Sequence, residues 1–472
     1  MTTTPRSALV LGLGATGLSM ARWLAASGAQ VRIADSRAVP PALDAALAAV
    51  PGVRIDTGPF REASFDGIDL VAISPGVPLQ EPLVQQALHR GVEVIGDIEL
   101  FARALDRLVA ERAERAEPRP RLLAITGSNG KSTVTEMTGA LCRAAGLETL
   151  VAGNIGLPVL DALLAIERGE QPWPDVIVLE LSSFQLETTA NLRPDAAVVL
   201  NLTEDHLDRH GTMQAYAAAK ARIFEGAGVQ VVNRDDPLSR RLARAGTPVW
   251  SFGLGMPGGD KVWGLMRNGG DWLAEGARKI LPVSALRVAG LHNAGNALAA
   301  LALCRAIGLP YEPLAEALAG FDGLAHRVQL CAEIAGRKFY DDSKGTNVGA
   351  TVAALTGMRE KVVLIAGGDA KGQDFAPLAA VAARHARAVV LIGRDRDRIA
   401  AALEPTGVEL VRATDMDAAV RLAFDASEPG DAVLLSPACA SFDMFRDYRH
   451  RAEAFRAAVA LLQEPEACST PH

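Results

Sequence analysis

The stretch "RLLAITGSNGKSTVTEMTGALCRAAG", residues 121–146, decides the fold. Its first six residues form the short apolar run of a buried strand, and the part from residue 131 onward has the apolar spacing of a helix. Between them, "GSNGKS" ends like a phosphate-binding loop, although Gly127 lies two residues closer to Gly130 than in the G-x-x-x-x-G-K-[ST] pattern. A strand, a glycine loop and a helix in this order predict a parallel α/β sheet with an anion bound at the helix N-terminus.

The lysine of this loop strengthens the prediction of a phosphate site. Lys131 would lie beside the positive end of the helix dipole, which is unfavourable unless an anion neutralises the charge. We therefore predict that Lys131 binds the β- and γ-phosphates of a nucleotide and that Ser132 reaches Mg²⁺. The alternative, a turn built only for packing, leaves the charge of the lysine unexplained.

A second glycine turn lies near the N-terminus. "LVLGLGATG", residues 9–17, matches G-x-G-x-x-G between an apolar strand and a helix, and Asp35 ends the next strand, where a ribose-binding acid lies in dinucleotide folds. This pattern predicts a nucleotide or diphosphate at the helix N-terminus. Two alternatives stay open from the pattern itself: an NAD-dependent dehydrogenase, and a tight turn that needs glycine only for packing.

Length and composition narrow the class of protein. The 472 residues are enough for about three domains of roughly 150 residues each. The net charge of −7 argues against nucleic acid or an anionic membrane as the main partner, and no apolar run approaches the roughly 18 residues of a membrane span. The five scattered cysteines indicate neither a disulfide framework nor a zinc site, so we expect a reducing cytoplasm. They are Cys142, Cys304, Cys331, Cys439 and Cys468.

Three segments alternate short apolar strands with Ala- and Leu-rich helices, which is typical of parallel α/β domains. We expect domains at residues 1–101, 102–322 and 323–472. The charged stretch "DRLVAERAERAEPRP", residues 106–120, predicts an exposed linker or an extended helix at the first boundary.

Acidic and histidine residues follow two apolar strands of the second segment. Glu180 ends the strand in "VIVLELSSFQLE" and is either a Mg²⁺ ligand or a salt-bridged structural residue. The loop "NLTEDHLDRHG" favours a metal or phosphate site over a polar loop that caps a helix. Its candidate side chains are Glu204, Asp205, His206, Asp208 and His210.

Three further polar loops come later in the chain. Asn293 and Asn296 share one helix face in "GLHNAGNALAA", which fits either ligands or caps. "FYDDSKGTN" and "GGDAKGQDF" place Lys344 and Lys371 after two strands of the third segment. Because the carboxyl ends of parallel strands share one edge, these lysines suit an anionic substrate or a phosphoryl group, although solvated turns are the alternative.

Together these motifs resemble the Mur ligases of peptidoglycan synthesis, and within that family the enzyme that adds D-glutamate. The resemblance is carried by strings in the family's order over nearly the whole chain: "GLGATGLS", "ISPGVP", "GDIELF", "AITGSNGKSTVTEM", "AGNIG", "LELSSFQLE", "NLTEDHLDRHG", "YAAAKARIF", "LHNAGNALAA", "HRVQ", "DDSKGTN" and "LLSPACASFD". The family's phosphate loop has the same short form. The resemblance therefore implies that this loop binds ATP and that the "GLGATG" turn binds the diphosphate of a UDP-linked substrate.

The resemblance also implies a fold and a reaction. Two Rossmann-like domains would flank a central P-loop ATPase-like domain. ATP would phosphorylate the carboxylate of UDP-N-acetylmuramoyl-L-alanine, and the amine of D-glutamate would attack the acyl phosphate to give an amide, ADP and phosphate. The implied partners are these small molecules only, with no nucleic acid and no membrane span, and the expected state is a cytoplasmic monomer.

The family motifs imply roles for individual residues. ATP is implied to contact Gly127, Ser128, Asn129, Gly130, Lys131, Ser132, Thr133, Asn293, Asn296, Arg327 and Asp342. The UDP-linked substrate and glutamate are implied to contact Gly14, Ala15, Thr16, Asp35, Ser36, Arg37, Ser74, Pro75, Gly76, Asn154, Ser182, Gln185, Lys344, Thr346, Lys371, Ser441 and Phe442. Two Mg²⁺ sites are implied at Ser132, Glu180, His206 and Lys220, with Lys220 carbamylated. Without the resemblance, the Ala-rich helix around Lys220 predicts a surface lysine. Catalysis is implied for Lys131, His206, Lys220 and Lys344.

Other functions also fit part of the pattern. Folylpolyglutamate synthetase shares the ATP chemistry but lacks the roughly 100 residues that precede the phosphate loop here. An ATP-gated binding protein would use the same loop without catalysis, and an L-glutamate-adding ligase would use the same chemistry on the opposite enantiomer. The chain departs from the family in its longer 106–120 stretch and in Ala452, where the family usually has glycine. Tyr448 stands where an aromatic residue often packs near glutamate.

Overall fold

The computed structural model describes residues 5–115, 117–288 and 290–462, apart from the side chain of Arg115; Cys468 lies outside the described residues. Three separate, mostly parallel sheets follow one another along the chain, each with helices packed beside it. The predicted fold class, α/β with three domains, is therefore confirmed.

The N-terminal sheet is entirely parallel, in the order β3-β2-β1-β4-β5. Its strands are β1 (Ser7–Leu11), β2 (Gln30–Asp35), β3 (Arg54–Thr57), β4 (Leu70–Ile73) and β5 (Glu93–Ile95), with helices α1 (Ala15–Ala26), α2 (Leu43–Ala49) and α3 (Pro82–His89). The chain moves outward from β1 on one side and returns to β4 on the other. The ends of β1 and β4 therefore form a switch point, where α/β sheets bind ligands.

Helix α4 (Asp97–Arg112) leads out of this sheet, and a short 3₁₀ turn, Ala113–Arg115, follows it. The charged stretch thus begins as a helix, which is one of its two predicted forms. The expected boundary between residues 101 and 102 falls inside α4, and the division into domains stays a prediction.

The central sheet has nine strands, in the order β14-β13-β12-β11-β10-β9-β6-β8-β7. The strands are β6 (Arg121–Thr126), β7 (Thr149–Gly153), β8 (Val176–Glu180), β9 (Ala196–Val199), β10 (Val229–Asn233), β11 (Val249–Phe252), β12 (Val262–Arg267), β13 (Asp271–Glu275) and β14 (Arg278–Pro282). The helices are α5 (Lys131–Ala144), α6 (Val159–Glu167), α7 (Ser183–Glu187), α8 (Leu207–His210), α9 (Met213–Ala221), α10 (Pro237–Arg241), α11 (Leu291–Ala306) and α12 (Tyr311–Gly320). Because β6 lies between β8 and β9, the loops after these three parallel strands meet at one edge.

The C-terminal sheet has the order β15-β16-β20-β17-β18-β19, with β15 antiparallel at one edge. Its strands are β15 (Gln329–Ile334), β16 (Arg337–Asp341), β17 (Val362–Gly367), β18 (Ala386–Ile392), β19 (Glu409–Arg412) and β20 (Ala432–Leu435). Its helices are α13 (Val348–Gly357), α14 (Ala376–His385), α15 (Arg396–Leu403), α16 (Met416–Asp425) and α17 (Tyr448–Leu461). The loops after the neighbouring strands β16, β20 and β17 carry Lys344, Ser441 and Lys371, so these loops share one edge of the sheet, as predicted.

The hydrophobic cores are divided differently from the sheets. One continuous cluster joins the N-terminal and central sheets through α1, α4 and α6, whereas the C-terminal sheet is covered by two clusters of its own. A membrane-crossing helix, which needs a long apolar stretch, is not found in the described part of the chain.

Candidate active site

The first glycine turn builds one wall of a large cleft. Gly12 has a φ of +85°, and a Cβ on Gly17 would lie 1.8 Å from the carbonyl oxygen of Gly12, so these two glycines are needed by the turn itself. A Cβ on Gly14 would meet nothing within 4 Å. The N-terminus of α1 has no side-chain cap, so its free N–H groups are available to an anion in the space beside Gly14.

The cleft has a volume of about 580 Å³ and lies between the N-terminal and central domains. It brings together eleven of the residues implied to bind substrate: Gly14, Ala15, Thr16, Asp35, Ser36, Arg37, Ser74, Pro75, Gly76, Asn154 and Gln185. Volumes of 300–1,000 Å³ are typical of small-molecule sites. The cleft is therefore large enough for a nucleotide-linked substrate.

Asp35 at the end of β2 is already fully engaged. Its carboxylate accepts hydrogen bonds from the Leu13 N–H at 2.6 Å and from Arg37 Nε and Nη2 at 2.8 and 2.6 Å. Although burial alone would raise the pKa of Asp35, these hydrogen bonds lower it to about 2. Because a ribose-binding acid needs a free carboxylate oxygen, the dinucleotide alternative is not supported.

One hydrogen bond links a residue of the cleft to Glu180, which lies beside the phosphate loop. Asn154, which follows β7 and lines the cleft, donates from Nδ2 to Glu180 Oε1 at 2.9 Å. Glu180 is the last residue of β8 and is buried, and its Oε2 has no hydrogen-bond partner among the described residues.

The phosphate loop has the geometry that its sequence predicts. Helix α5 starts at Lys131, and its N-cap, Gly130, is left-handed with a φ of +84° and offers no side-chain cap. A Cβ on Gly130 would lie 2.7 Å from Asn296 Oδ1. Lys131 Nζ folds back to donate to the carbonyl oxygens of Gly127 and Ser128, at 2.9 and 3.0 Å. A phosphate at the helix N-terminus would offer Lys131 stronger acceptors than these carbonyls.

Lys220 is buried rather than on the surface of its Ala-rich helix. Its side chain in α9 is 1% exposed, and Nζ donates to Gly127 O at 2.9 Å and Thr126 Oγ1 at 3.2 Å. Burial, reinforced by the charge of Lys131, lowers the pKa of Lys220 far below its usual value. A surface location, which the helix composition favours, is therefore wrong.

The charge of Glu180 acts on four basic side chains around it. Burial lowers the pKa of each of them, and in each case the negative charge of Glu180 opposes that effect. The four side chains are Lys131, Lys220, Arg327 and Lys344. Several basic side chains around one carboxylate suit a polyanionic ligand such as the phosphates of ATP.

The C-terminal domain contributes cations directly to the phosphate loop. Arg327 Nη2 donates to Ser132 Oγ at 2.9 Å, and Lys344 Nζ lies 3.4 Å from the same oxygen. Burial, with the nearby charge of Arg327, lowers the pKa of Lys344 to about 8. Burial also raises the pKa of Asp342 to about 7, although Ser436 Oγ donates to it at 2.7 Å.

A smaller pocket of about 70 Å³ lies between α11 and the C-terminal domain. Most of the residues implied to bind ATP line this pocket: Asn129, Gly130, Thr133, Asn293, Asn296, Arg327 and Asp342. Asn296 Nδ2 donates to Asn293 Oδ1 at 3.0 Å, so the two asparagines are held as a pair.

The residues implied to bind glutamate are less completely assembled. Ser441 is buried, Thr346 is half-buried, and Lys371 and Phe442 are exposed, Phe442 by 69%. Lys344 Nζ lies 5.4 Å from the centre of the Tyr448 ring, which forms part of the same surface. Lys344 contacts the phosphate loop through Ser132, and the other residues implied to bind glutamate lie on the loops that leave the same edge of the C-terminal sheet.

The residues implied to bind Mg²⁺ differ in how well they fit. Glu180 Oε2 is buried and has no hydrogen-bond partner among the described residues, and Ser132 lies in the first turn of α5, which follows the neighbouring strand β6. These oxygens suit a hard cation that prefers oxygen ligands. His206 is in the left-handed region with a φ of +55°, and burial lowers the pKa of its ring. In the described residues, no group of three or more His, Cys, Asp or Glu side chains is placed to hold a metal.

Comparisons with known protein families agree with this arrangement over most of the chain. Residues 6–96 match the Mur ligase MurD-like N-terminal domain, residues 125–304 the Mur ligase middle domain, and residues 326–439 the Mur ligase glutamate ligase domain. A relative from Thiobacillus denitrificans is 59% identical over 460 residues, covering 97% of this chain and 96% of the relative. This chain belongs to the Mur ligase family.

Two relatives with high sequence identity share one name. The relative from Thiobacillus denitrificans and one from Nitrosomonas europaea are both named UDP-N-acetylmuramoylalanine--D-glutamate ligase. The second is 55% identical and covers 98% of each chain.

Among solved structures, a UDP-N-acetylmuramate-alanine ligase from Thermotoga maritima matches with a TM-score of 0.60 at 20% identity, covering 96% of this chain and 99% of its own. MurF from Acinetobacter baumannii also has a TM-score of 0.60, at 19% identity, covering 96% of this chain and 90% of its own. These two likenesses support the fold.

Three residues support the phosphate loop through contacts that the sequence did not predict. Asn201 Oδ1 accepts from the Asn129 N–H at 2.8 Å, and the hydroxyl of Tyr216 lies 3.1 Å from Ser128 Oγ. Asn347 Nδ2 donates to Asn129 Oδ1 at 3.0 Å across the domain boundary. Asn201 and Asn347 lie in the polar loops "NLTEDHLDRHG" and "FYDDSKGTN" that the sequence singled out, but their partners are distant in the chain.

Proposed function

We propose that this chain is an ATP-dependent ligase that joins D-glutamate to UDP-N-acetylmuramoyl-L-alanine in peptidoglycan precursor synthesis. The observation that carries the proposal is the hydrogen bond from Asn154 to Glu180. It connects a cleft of nucleotide-sugar size to Glu180, whose charge acts on Lys131, Arg327 and Lys344 beside the phosphate loop. A substrate bound in the cleft would therefore extend its carboxylate toward the γ-phosphate of ATP.

The cations would make the first step possible. A carboxylate that attacks a phosphate meets strong repulsion between negative charges, and pre-placed cations in a buried site reduce it. Lys131 would leave the loop carbonyls to bind the terminal phosphates, while Arg327 and Lys344 approach them from the C-terminal domain. Mg²⁺ bound by Ser132 and Glu180 would supply further charge neutralisation.

The second step needs an anionic amino acid beside the acyl phosphate. With a pKa of about 8, Lys344 is still mostly cationic at neutral pH and suits a carboxylate of glutamate. Thr346, Lys371, Ser441 and Phe442 lie on the loops after the neighbouring strands β16, β17 and β20, and we assign them to the glutamate site. Attack by the amine forms the C–N bond as the bond from the acyl carbon to the phosphate oxygen breaks, releasing phosphate.

We also propose that Lys220 is carbamylated and contributes, with His206, to a second metal site. Burial lowers the pKa of Lys220 well below its usual value, and this favours the uncharged amine, which is the form that attacks CO₂. The new N–C bond replaces an N–H bond, and the proton leaves to solvent. The resulting anion would balance the charge of Lys131 and offer oxygen ligands where side-chain carboxylates are too few among the described residues.

The decisive experiment measures phosphate release by the purified protein with ATP, Mg²⁺ and UDP-N-acetylmuramoyl-L-alanine. D-glutamate, L-glutamate and no amino acid are compared. Release that depends on D-glutamate is expected. Release with L-glutamate alone would keep the mechanism and contradict the stereochemistry, and no release with either would contradict the proposal.

Lys220 is tested by the variant Lys220→Ala. Turnover should be lost because the carbamate is missing, and added short-chain carboxylates should restore part of it by occupying the space. ¹³C-labelled bicarbonate should give a carbamate NMR signal in the wild-type protein and none in the variant. Full activity of the variant without added carboxylate would contradict the carbamate.

A further inference from the structure

A buried carboxylate at the junction of the first two domains lies behind the wall of the cleft. Asp97 is the first residue of α4 and is almost completely buried. Its Oδ2 accepts a hydrogen bond from Gln185 Nε2 at 2.9 Å. Its Oδ1 is buried and has no hydrogen-bond partner among the described residues.

The partner of Asp97 belongs to the cleft itself. Gln185 lines the cleft, and its Oε1 accepts hydrogen bonds from the backbone N–H and the hydroxyl of Ser182, at 3.0 and 3.1 Å. Both ends of the amide are therefore in use: the oxygen faces Ser182 and the nitrogen faces Asp97. An acceptor at position 97 is what keeps the amide in this orientation, because the flipped amide would point its oxygen at a carboxylate.

Glu99, a neighbouring carboxylate at this junction, has the set of hydrogen-bond donors expected of a purely structural acid. Glu99, two residues along the same helix, accepts hydrogen bonds from the backbone N–H groups of Ala190 and Asn191, from the Asn191 side chain and from Arg103. Although burial would raise the pKa of Glu99, these bonds lower it. Asp97 has far fewer donors, and burial raises its pKa to about 6. A buried carboxylate with an unused oxygen is costly, which favours a role beyond holding the helices together.

We propose that Asp97 is a positioning residue for the UDP-linked substrate. It orients the amide of Gln185 and, through the Gln185–Ser182 pair, shapes the side of the cleft that faces the phosphate loop. This inference rests on the proposed function. It predicts that a change at residue 97 alters binding of the UDP-linked substrate and leaves the ATP site unchanged.

The test compares three single variants in the full chain. Asp97→Leu removes the acceptor at similar volume and should raise KM for UDP-N-acetylmuramoyl-L-alanine about tenfold, the effect of about one lost hydrogen bond. KM for ATP should stay within about twofold, since Asp97 acts on the cleft and not on the phosphate loop. Asp97→Asn keeps an acceptor oxygen for Gln185 and should restore KM to near the wild-type value. Glu99→Gln is the matched control, because it alters a buried acid of the same helix without touching Gln185.

A double-mutant cycle keeps the inference testable if Asp97→Leu is poorly stable. Asp97→Ala, which leaves a smaller change in shape than an added apolar group, should raise KM for the UDP-linked substrate by itself, and Asp97→Ala/Gln185→Leu should have the same KM as Gln185→Leu, because Asp97 acts only through the amide. The inference is overturned if Asp97→Leu leaves that KM unchanged, or if Glu99→Gln raises it equally.

Calorimetric binding of UDP-N-acetylmuramoyl-L-alanine without ATP separates this inference from the proposed function. Binding by the wild-type protein without turnover would overturn the function alone, and the tenfold weakening would still be measured as Kd. No binding by the wild-type protein would overturn both.

Discussion

The two domain boundaries of this molecule differ in chemistry: one contains a continuous apolar cluster, and the other is joined by polar side chains. Between the N-terminal and central domains, one apolar cluster continues from α1 and α4 into α6. It includes Trp23, Phe101 and Leu163. Polar contacts surround this apolar cluster, such as the Ser19 hydroxyl accepting from the Asp161 N–H at 3.1 Å and the hydrogen bonds that Glu99 accepts from Ala190 and Asn191. Burial of this kind is independent of ligand and holds the two domains as one unit.

Between the central and C-terminal domains, the contacts come mainly from side chains of the active site. Arg327 and Lys344 contact Ser132, and Asn347 contacts both Asn129 and Asp205. The linker before β15 includes His326 and Val328 at φ values of +63° and +46°, a costly region for a β-branched residue.

This difference indicates which part of the site depends on bound ligand. The cleft that we assign to the UDP-linked substrate lies on the boundary with the continuous apolar cluster, so we expect its shape to depend little on ligand. At the polar boundary, the groups that join the domains are the same groups that would bind phosphate and metal. A ligand there competes with the domain contacts, so the position of the C-terminal domain is coupled to the state of the site.

The largest effect is expected at the polar boundary. Lys131→Ala removes the cation of the phosphate loop and should lower turnover at least about a thousandfold, because this charge is needed only when phosphate is bound. The fold should survive, since the hydrogen bonds of Lys131 run to carbonyls of its own loop. Phosphate-release assays and circular dichroism test both parts. Near-normal turnover in the variant would contradict the phosphate-loop assignment.

A substitution at the apolar boundary should change the free energy of unfolding more than the rate of catalysis. Trp23→Ala removes a large buried side chain and should cost about 3–5 kcal/mol of unfolding free energy. Because the core is shared, the N-terminal and central domains should lose stability together. Phe455→Ala, in a separate cluster, is the control and should affect only the C-terminal domain. Calorimetry and hydrogen exchange distinguish these cases, and independent unfolding of the first two domains would break the comparison.

Lys344 should link stability to pH. Its pKa of about 8 in the folded protein lies below the value of 10.5 for an exposed lysine, so the folded state holds fewer protons and stability rises between these pH values. Lys344→Met should stabilise the protein at pH 7 by about 1 kcal/mol after allowance for solvent screening, while turnover is lost. The gain in Tm should shrink at pH 10. An equal gain at both pH values would show that charge is not the cause.

The smallest effect is expected for a single contact across the polar boundary. Asn347→Ser keeps an oxygen to cap α13 but loses the donor to Asn129 and Asp205, so KM for ATP should rise about threefold. Asp415→Ser changes the cap of α16, far from the boundary, and is the matched control. If both variants behave alike, the contact across the boundary has no role in ATP binding.

Local sequence determined the parts of the site that depend on backbone geometry. The glycine turn at 12–17, the left-handed Gly130 before α5, and Glu180 at the end of β8 follow from strand, turn and helix patterns in a few residues. The same patterns predicted that Lys344 and Lys371 leave one edge of a parallel sheet. These features need no knowledge of distant residues, because backbone dihedral angles and strand direction are set locally.

Only the tertiary structure decided which side chains are buried and which ones meet. The alanines around Lys220 indicate a surface helix, yet its amine is buried against Thr126 and Gly127, and this burial lowers its pKa. The apolar pattern of α4 cannot show that its core continues into α6, and the polar loop around Asn347 cannot show that it reaches Asn129. Burial and charge depend on contacts between residues far apart in the chain, so no short stretch of sequence contains them.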